Sequence, residues 1–559
     1  MKVSFLLAYC ALLAALLAGQ TSAPEAPSKE SENCGVEGHV VLASGEQPLN
    51  KVAIRIFPDD AEGNSYTALT NAEGHFKIED MKPGHYNVTI ERNGYLEAGK
   101  HRRRYQSQAL TLKPGQELND LMYRMQPAAV IAGKIVDAEG DPVTEASILV
   151  TRYGSGSGRN SRFRGYERTN DLGEYRVSGL PPGRYLVLAQ AWAVPAAPSA
   201  GVENGASSKI ETVYAPTYYP GTMDKSQATA IELHAGDQAP ANFALVASRS
   251  FRIRGTVSGV PIVLGSQIRI AARSKADSNT RQYSSDGRID KDGKFEIRDV
   301  LPGSYALSLW TRDGGSMQEI NSGQTVEVTN TDVNGLQVRP APNGQVRGQF
   351  RLDSGQKVDW SRAMVLLESD EDSDGSSEHS HYGGPVAQAK SDGSFELGNV
   401  AAGSYHLITL SRPQGLRDYF VKSVNLGSKD VSDTGFTTGG ASYFVDIVFS
   451  AKGAILEGIV LDAKDQPVVD ADVVAVPDPT RRKRRDLYQE DSTDQRGHFT
   501  LHGLSPGQYT VIAFEDLEDD YFDPDFLKSY EGRGQSVEIK EGERKSVLLK
   551  IVPSTDERP

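Results

Sequence analysis

The sequence predicts an all-β chain: five β-sandwich domains in tandem behind an N-terminal export signal. Three observations predict it. The stretch "DKDGKFEIRDVLPGSYAL" from Asp290 recurs in similar form five times at domain-sized spacing. The segments between copies alternate apolar and polar residues, the period of a half-buried strand. The 55 glycines and 28 prolines in 559 residues supply the turns that many short strands need.

The first residues read as a signal peptide over 1–23. Lys2 gives the positive end and "VSFLLAYCALLAALLA" the apolar run, and the small residues "GQTSA" follow. Ala23 fits the last position, although Pro24 behind it favours a cut a few residues earlier. A retained membrane anchor is the other reading of this run. Residues 24–33 are a linker, and no later segment is apolar and long enough to span a bilayer as a helix. Outside the apolar run Cys34 stands alone, so the mature chain has no internal disulfide and no cysteine-based metal site.

The copies read "NAEGHFKIEDMKPGHYNV" from Asn71, "NDLGEYRVSGLPPGRYLV" from Asn170, the opening stretch from Asp290, "KSDGSFELGNVAAGSYHL" from Lys390 and "DQRGHFTLHGLSPGQYTV" from Asp494. In each, two glycines stand ten residues apart: Gly74/Gly84, Gly173/Gly183, Gly293/Gly303, Gly393/Gly403 and Gly497/Gly507. The copies follow one another at 99, 120, 100 and 104 residues, a domain's length rather than a solenoid repeat's. Asn or Asp three residues before the first glycine suits a type I turn, and the glycine takes the positive φ behind it. An aromatic and an aliphatic residue then alternate inward along a strand. Pro-Gly fits the centre of a type II turn, and the next strand opens on an inward tyrosine: Tyr86, Tyr185, Tyr305, Tyr405 or Tyr509. Such a corner tyrosine buries its ring and bonds its hydroxyl to nearby backbone.

About forty residues upstream, each copy has a strand entered through glycine, as in "IAGKIVDAEGDPVTEASILV" and "LEGIVLDAKDQPVVDADVVAV". Each module also closes on a final strand, as in "QSVEIKEGERKSVLLKIV". The order Gly-strand, "GDPVTEASILV", D-x-x-G-x-F and L-x-P-G-x-Y-x-V resembles the carboxypeptidase regulatory-like domain. The resemblance implies Ig-like, transthyretin-like sandwiches, grouped with starch-binding-like folds, for nearly the whole mature chain. It implies domains at 34–126, 127–248 with an insertion, 249–340, 341–452 and 453–553, before a tail at 554–559. It is specific for fold and weak for function, since such sandwiches host many roles.

A formal net charge of −14 argues against a nucleic-acid partner. The 10 histidines form neither H-x-x-E nor H-E-x-x-H, and no P-loop, dinucleotide fingerprint or G-x-S-x-G elbow occurs. "GSGSG" at 154–158 reads as a flexible loop. The best metal candidate, "DEDSDG" at 370–375, matches the first half of a calcium loop but has His381 where the bidentate glutamate belongs. It reads as a solvated acidic loop. No metal and no cofactor is expected. Two basic runs, "HRRR" at 101–104 and "RRKRR" at 481–485, read as solvated loops, with anionic surface polymers as the sharper reading and proteolytic nicking a further one at 481–485.

The second module's insertion carries Trp192 and "VYAPTYYPG" with Tyr214, Tyr218 and Tyr219. Exposed aromatics beside a rigid sandwich stack on sugar rings or peptide side chains, so these four are the candidate binding residues. Folded back, the same residues cover the module's own sheet edge. The expectation is an exported, non-enzymatic binding or scaffold array of the bacterial cell envelope or exterior: secreted, periplasmic or at the cell surface. Its partner would be polysaccharide or an envelope protein. The competing expectation is a glycan or peptide hydrolase with a carboxylate site in the loops.

Overall fold

The computed structural model describes residues 33–58, 64–98, 108–153, 163–191, 212–259, 269–274, 284–313, 316–339, 343–369, 385–411, 417–515, 519–522, 524–528, 530 and 532–552. The expected signal peptide, the linker up to residue 32, the runs at 101–104, 154–158 and 370–375, and the tail lie outside the described residues. The described chain is all β apart from a few one-turn helices and the short helix Pro524–Lys528.

The alternation read from the sequence becomes two-faced strands. In Gly344–Leu352 the residues Val346, Phe350 and Leu352 are buried while Arg347 and Arg351 are exposed. Each repeat builds two facing sheets. In the first sheet of repeat one, Cys34–Leu42 lies between His75–Met81, antiparallel, and the closing strand Glu117–Pro127, parallel. The second sheet has the order Tyr66–Leu69, Ala53–Pro58, Gly84–Glu91, Gln108–Leu112. The same antiparallel–parallel arrangement surrounds Ala129–Val136, Phe251–Val257, Gly344–Leu352 and Ala454–Leu461. Around the fifth repeat the two sheets merge into seven strands, because Ala513 and Phe514 pair in parallel with Ile551 and Val552. Buried side chains form a separate large cluster within each repeat.

The parallel pairing explains the glycine that marks every entry strand. A Cβ on Gly38, Gly133, Gly255 or Gly458 would overlap the carbonyl oxygen of Leu121, Ala241, Leu336 or Val547 on the closing strand. On Gly348 it would overlap the Phe395 ring and approach the Val445 oxygen. Only a bare Cα lets the two backbones come this close.

The repeated stretch is a corner between the sheets, not a hairpin. Asn71, Asn170, Asp290 and Asp494 each accept two backbone N–H bonds across the turn; for Asp290 these come from Asp292 at 2.9 Å and Lys294 at 2.8 Å. The fourth copy has Lys390 there, and Asp392 accepts from Ser394 N instead, at 2.9 Å. The expected type II turn at Pro-Gly is not what forms. Gly84, Gly183, Gly303 and Gly507 have φ of 156°, 150°, 157° and 148° and already open the second-sheet strand. The compact left-handed residues lie earlier, at Asp80, Gly179, Asp299 and Gly503, with φ of 58°, 77°, 60° and 66°. There the pairing register slips by one residue, a β-bulge that bends the strand toward the other sheet.

The corner tyrosines then plug the turn. Tyr86, Tyr185 and Tyr305 are buried, and their hydroxyls donate to the carbonyls of Lys82, Pro181 and Leu301 at 2.7, 2.7 and 2.8 Å. Burial raises the Tyr305 phenol pKa well above its ordinary value, so the group stays a neutral donor.

Two outcomes follow for stability. Tyr305→Ala is expected to cost about 3–5 kcal/mol, with Ser304→Ala close to neutral, in urea unfolding of the intact chain. Gly458→Ala is expected to cost about 1–3 kcal/mol, whereas Gly45→Ala, with open space around it, should cost far less. Equal midpoints within either pair would contradict the assigned packing.

Candidate functional site

Trp192 lies outside the described residues, so the aromatic platform is judged on the three tyrosines. Thr217–Tyr218 pairs with Leu188 and Ala189 of Gly183–Gln190, adding a strand to the second sheet of repeat two. Tyr214 ends a different strand, Thr212–Tyr214, paired with Ala247–Arg249, and Tyr219 follows the end of Thr217–Tyr218, so the three tyrosines go to different places. Tyr214 joins the main core of the repeat, 7% exposed. Tyr218 is 3% exposed and sits on the outer face against Leu149 and Leu188. Tyr219 is half-buried and meets Phe243 edge-on, with ring centroids 5.8 Å apart.

The tyrosines therefore do not gather into an exposed stacking surface. Tyr214 and Tyr218 have no free ring face, because an edge strand and an apolar outer face needed covering and these side chains cover them. Binding by these residues would fall to Tyr219 and to Trp192.

A denser aromatic cluster stands on the fifth repeat, in a segment the sequence reading passed over. Tyr488, Phe514, Tyr521 and Tyr530 are buried with Val474 and Ile512, and Phe522 and Phe526 pack partly exposed against them. Phe514 meets Tyr530 edge-on at 5.0 Å, and Tyr488 meets Phe522 at 4.8 Å. Burial pushes the Tyr488 phenol up to about 12. "DYFDPDFLKSY" carried the signal, with Phe522, Phe526 and Tyr530 four residues apart around the helix Pro524–Lys528.

The basic run at 481–485 is not the solvated loop expected of it. Arg484 is 6% exposed. It holds Asp486 through Nε at 3.2 Å and Nη2 at 2.6 Å, reaches Asp433 of the fourth repeat at 3.2 Å, and donates to Val421 O at 3.3 Å. Burial opposes its charge, but Asp486 and Asp433 outweigh that cost and its pKa is raised. Arg485 pairs with Glu368 at 3.2 Å and lies over the Phe522 ring.

Among the described residues no group of three or more His, Cys, Asp or Glu side chains is placed to hold a metal ion. A shallow cleft in the fourth repeat is lined by Ser404, Leu426, Val431, Thr434 and Phe436, with Lys429 its one ionisable side chain. A lone lysine there provides no acid–base pair. Cys34 is buried, its thiol 3.0 Å from Lys113 O.

Tyr218→Ala should destabilise the chain by about 3 kcal/mol or more by thermal or urea unfolding, as removal of an enclosed aromatic does. Unchanged unfolding would return Tyr218 to the surface.

Residues 35–121 and 130–246 match the carboxypeptidase regulatory-like domain, and residues 253–334 match domain II of polysaccharide lyase family 4. No curated protein matches the chain. Among solved structures, a Streptococcal ancillary pilin is 12% identical over 56% of this chain and 100% of its own, at a TM-score of 0.19. BcpA, the major pilin subunit of Bacillus cereus, is 9% identical over 55% and 100%, at 0.16. The Bacillus anthracis TIE protein is 11% identical over 55% of this chain, which spans 51% of it, also at 0.16. Superpositions this loose carry no argument about function. The glycine-entered strand, the turn and the corner tyrosine agree with the match of residues 35–121 and 130–246 to the carboxypeptidase regulatory-like domain.

Proposed function

We propose that the chain is an exported, non-enzymatic scaffold of the bacterial cell envelope or exterior, built from five β-sandwich domains at 34–126, 127–248, 249–340, 341–452 and 453–553. One observation carries this reading. The residues common to the repeats are used up by the fold: entry glycines by the closing strand, Asn or Asp by the turn, and tyrosines by the corner. Repetition has multiplied a frame, not a reactive constellation.

The connections support a spacer. Glu117–Pro127 is followed by a strand starting at Ala129, and Ala247–Arg249 by one starting at Phe251. A single intervening residue leaves little freedom between one repeat and the next, unlike a flexible linker. Short connections of this kind suit a protein that holds a partner at a set distance.

Polysaccharide and envelope protein are the partner classes to test, the first supported by the likeness of residues 253–334 to a polysaccharide lyase domain. The purified full chain is applied to glycan and peptide arrays and to an envelope fraction, and the products are analysed by mass spectrometry. Retention, or no interaction, without shortened products fits a scaffold. Time-dependent release of cleaved glycan or peptide would overturn the reading in favour of a hydrolase.

A further inference from the structure

Five consecutive cations in an exported chain invite cleavage, because exposed basic loops are where trypsin-like proteases cut. The run at 481–485 is instead built into the junction of the fourth and fifth repeats. Val421 belongs to Phe420–Leu426 and Glu368 to Met364–Ser369, strands of the two different sheets of repeat four. Asp433 lies between Lys429–Asp430 and Phe436–Thr438. Arg484 reaches Val421 and Asp433, and Arg485 reaches Glu368, which is only 14% exposed. Arg481 adds a contact to Asp433 at 3.5 Å while donating to Pro506 O of its own repeat at 3.1 Å.

A second line of contacts runs along the connector itself. Only residues 451–453 separate Ser442–Ser450 from Ala454–Leu461. Gly453 N donates to Asp418 O at 3.0 Å, and the Asp418 carboxylate sits 2.7 Å from His502 Nδ1. Gly542 N donates to Lys452 O at 2.7 Å, and Ser450 Oγ to Glu541 at 3.2 Å. A Cβ on Gly453 would overlap Asp418 O, so this approach needs glycine.

Rotation about the connector would break one line or the other. It would also leave Arg484 with Asp486 as its sole carboxylate partner and strip Glu368 of Arg485. A buried guanidinium that loses a partner is costly, which makes the open arrangement rare.

We propose that the arginine run is an inter-repeat clamp that locks repeats four and five into one rigid, protease-resistant unit. Its partner is the acidic and carbonyl face of repeat four, formed by Val421, Asp433 and Glu368.

The test uses the full chain. Spin labels on Lys390→Cys and Lys464→Cys, both exposed positions, report the distance between the repeats in a background with Cys10→Ser; Cys34 is 1% exposed and stays unlabelled. Trypsin cleavage at 481–485 is mapped by mass spectrometry in the same protein and in a variant carrying Asp433→Asn with Glu368→Gln. The expected result is one narrow distance distribution in the parent, broadened in the variant, and cleavage at 481–485 about tenfold faster in the variant, as opening becomes more frequent. The parent decides the matter even where the variant folds poorly. A broad distance distribution in the parent, or cleavage at 481–485 as fast as at exposed arginines, overturns the clamp. So does a well-folded variant that matches the parent in both measurements.

Discussion

The closing strand of each repeat lies so close to the entry strand that only glycine fits between them. Gly38, Gly133, Gly255, Gly348 and Gly458 meet that condition at equivalent places, always beside a backbone carbonyl of the partner strand or the ring it frames. The parallel pairing joins the first and last segments of a repeat, which are distant in sequence. Until it forms, the first sheet lacks its closing member. In three repeats an aromatic ring, from Phe295, Phe395 or Phe499, lies over the bare Cα, so the contact that closes the sheet also organises the core. The corner, with its bulge and buried tyrosine, then brings the second sheet over that core.

Once the frame is satisfied, variation collects between the corner strand and the closing strand. In repeats two and five the outer face of the second sheet is apolar, carrying Leu149 and Leu188 in one and Val474, Ile512 and Phe514 in the other. An uncovered face of that kind would invite association with other chains. The inserted residues cover it, with Tyr218 in repeat two and with Tyr521, Leu527 and Tyr530 in repeat five. Aromatic residues in an insertion thus have a packing role before they have any binding role. A similar economy governs Arg481, Arg484 and Arg485, which reach Asp433, Val421 O and Glu368 of the neighbouring repeat.

A series of such frames, joined by one to a few residues, has a mechanical character that a single sandwich lacks. Each repeat carries its own buried cluster, so loss of one core leaves the others their side chains. Short connectors, and at one junction a set of partly buried ion pairs, pass orientation from repeat to repeat. Among the described residues no group of three or more His, Cys, Asp or Glu side chains is placed to hold a metal ion, whereas turn and core groups recur throughout.

The sequence by itself determined the repeat, the strand pattern, the glycine-entered strand and the inward tyrosine. Each rests on local alternation or on a conformation that few residues adopt, and local geometry is written in neighbouring residues. It misplaced the left-handed residue, because Pro-Gly resembles a type II turn in isolation. Only the pairing of Cys34–Leu42 with His75–Met81, and its one-residue slip, moves that residue to Asp80. Tertiary structure alone decided which way Tyr214, Tyr218 and Tyr219 face, since Thr212–Tyr214 and Thr217–Tyr218 are placed by separate, distant partners, Ala247–Arg249 and Leu188–Ala189. It decided equally that Arg484 is buried: its main carboxylate partner, Asp486, is two residues away, but Asp433 and Val421 O are 51 and 63 residues distant, and no local pattern records such a meeting.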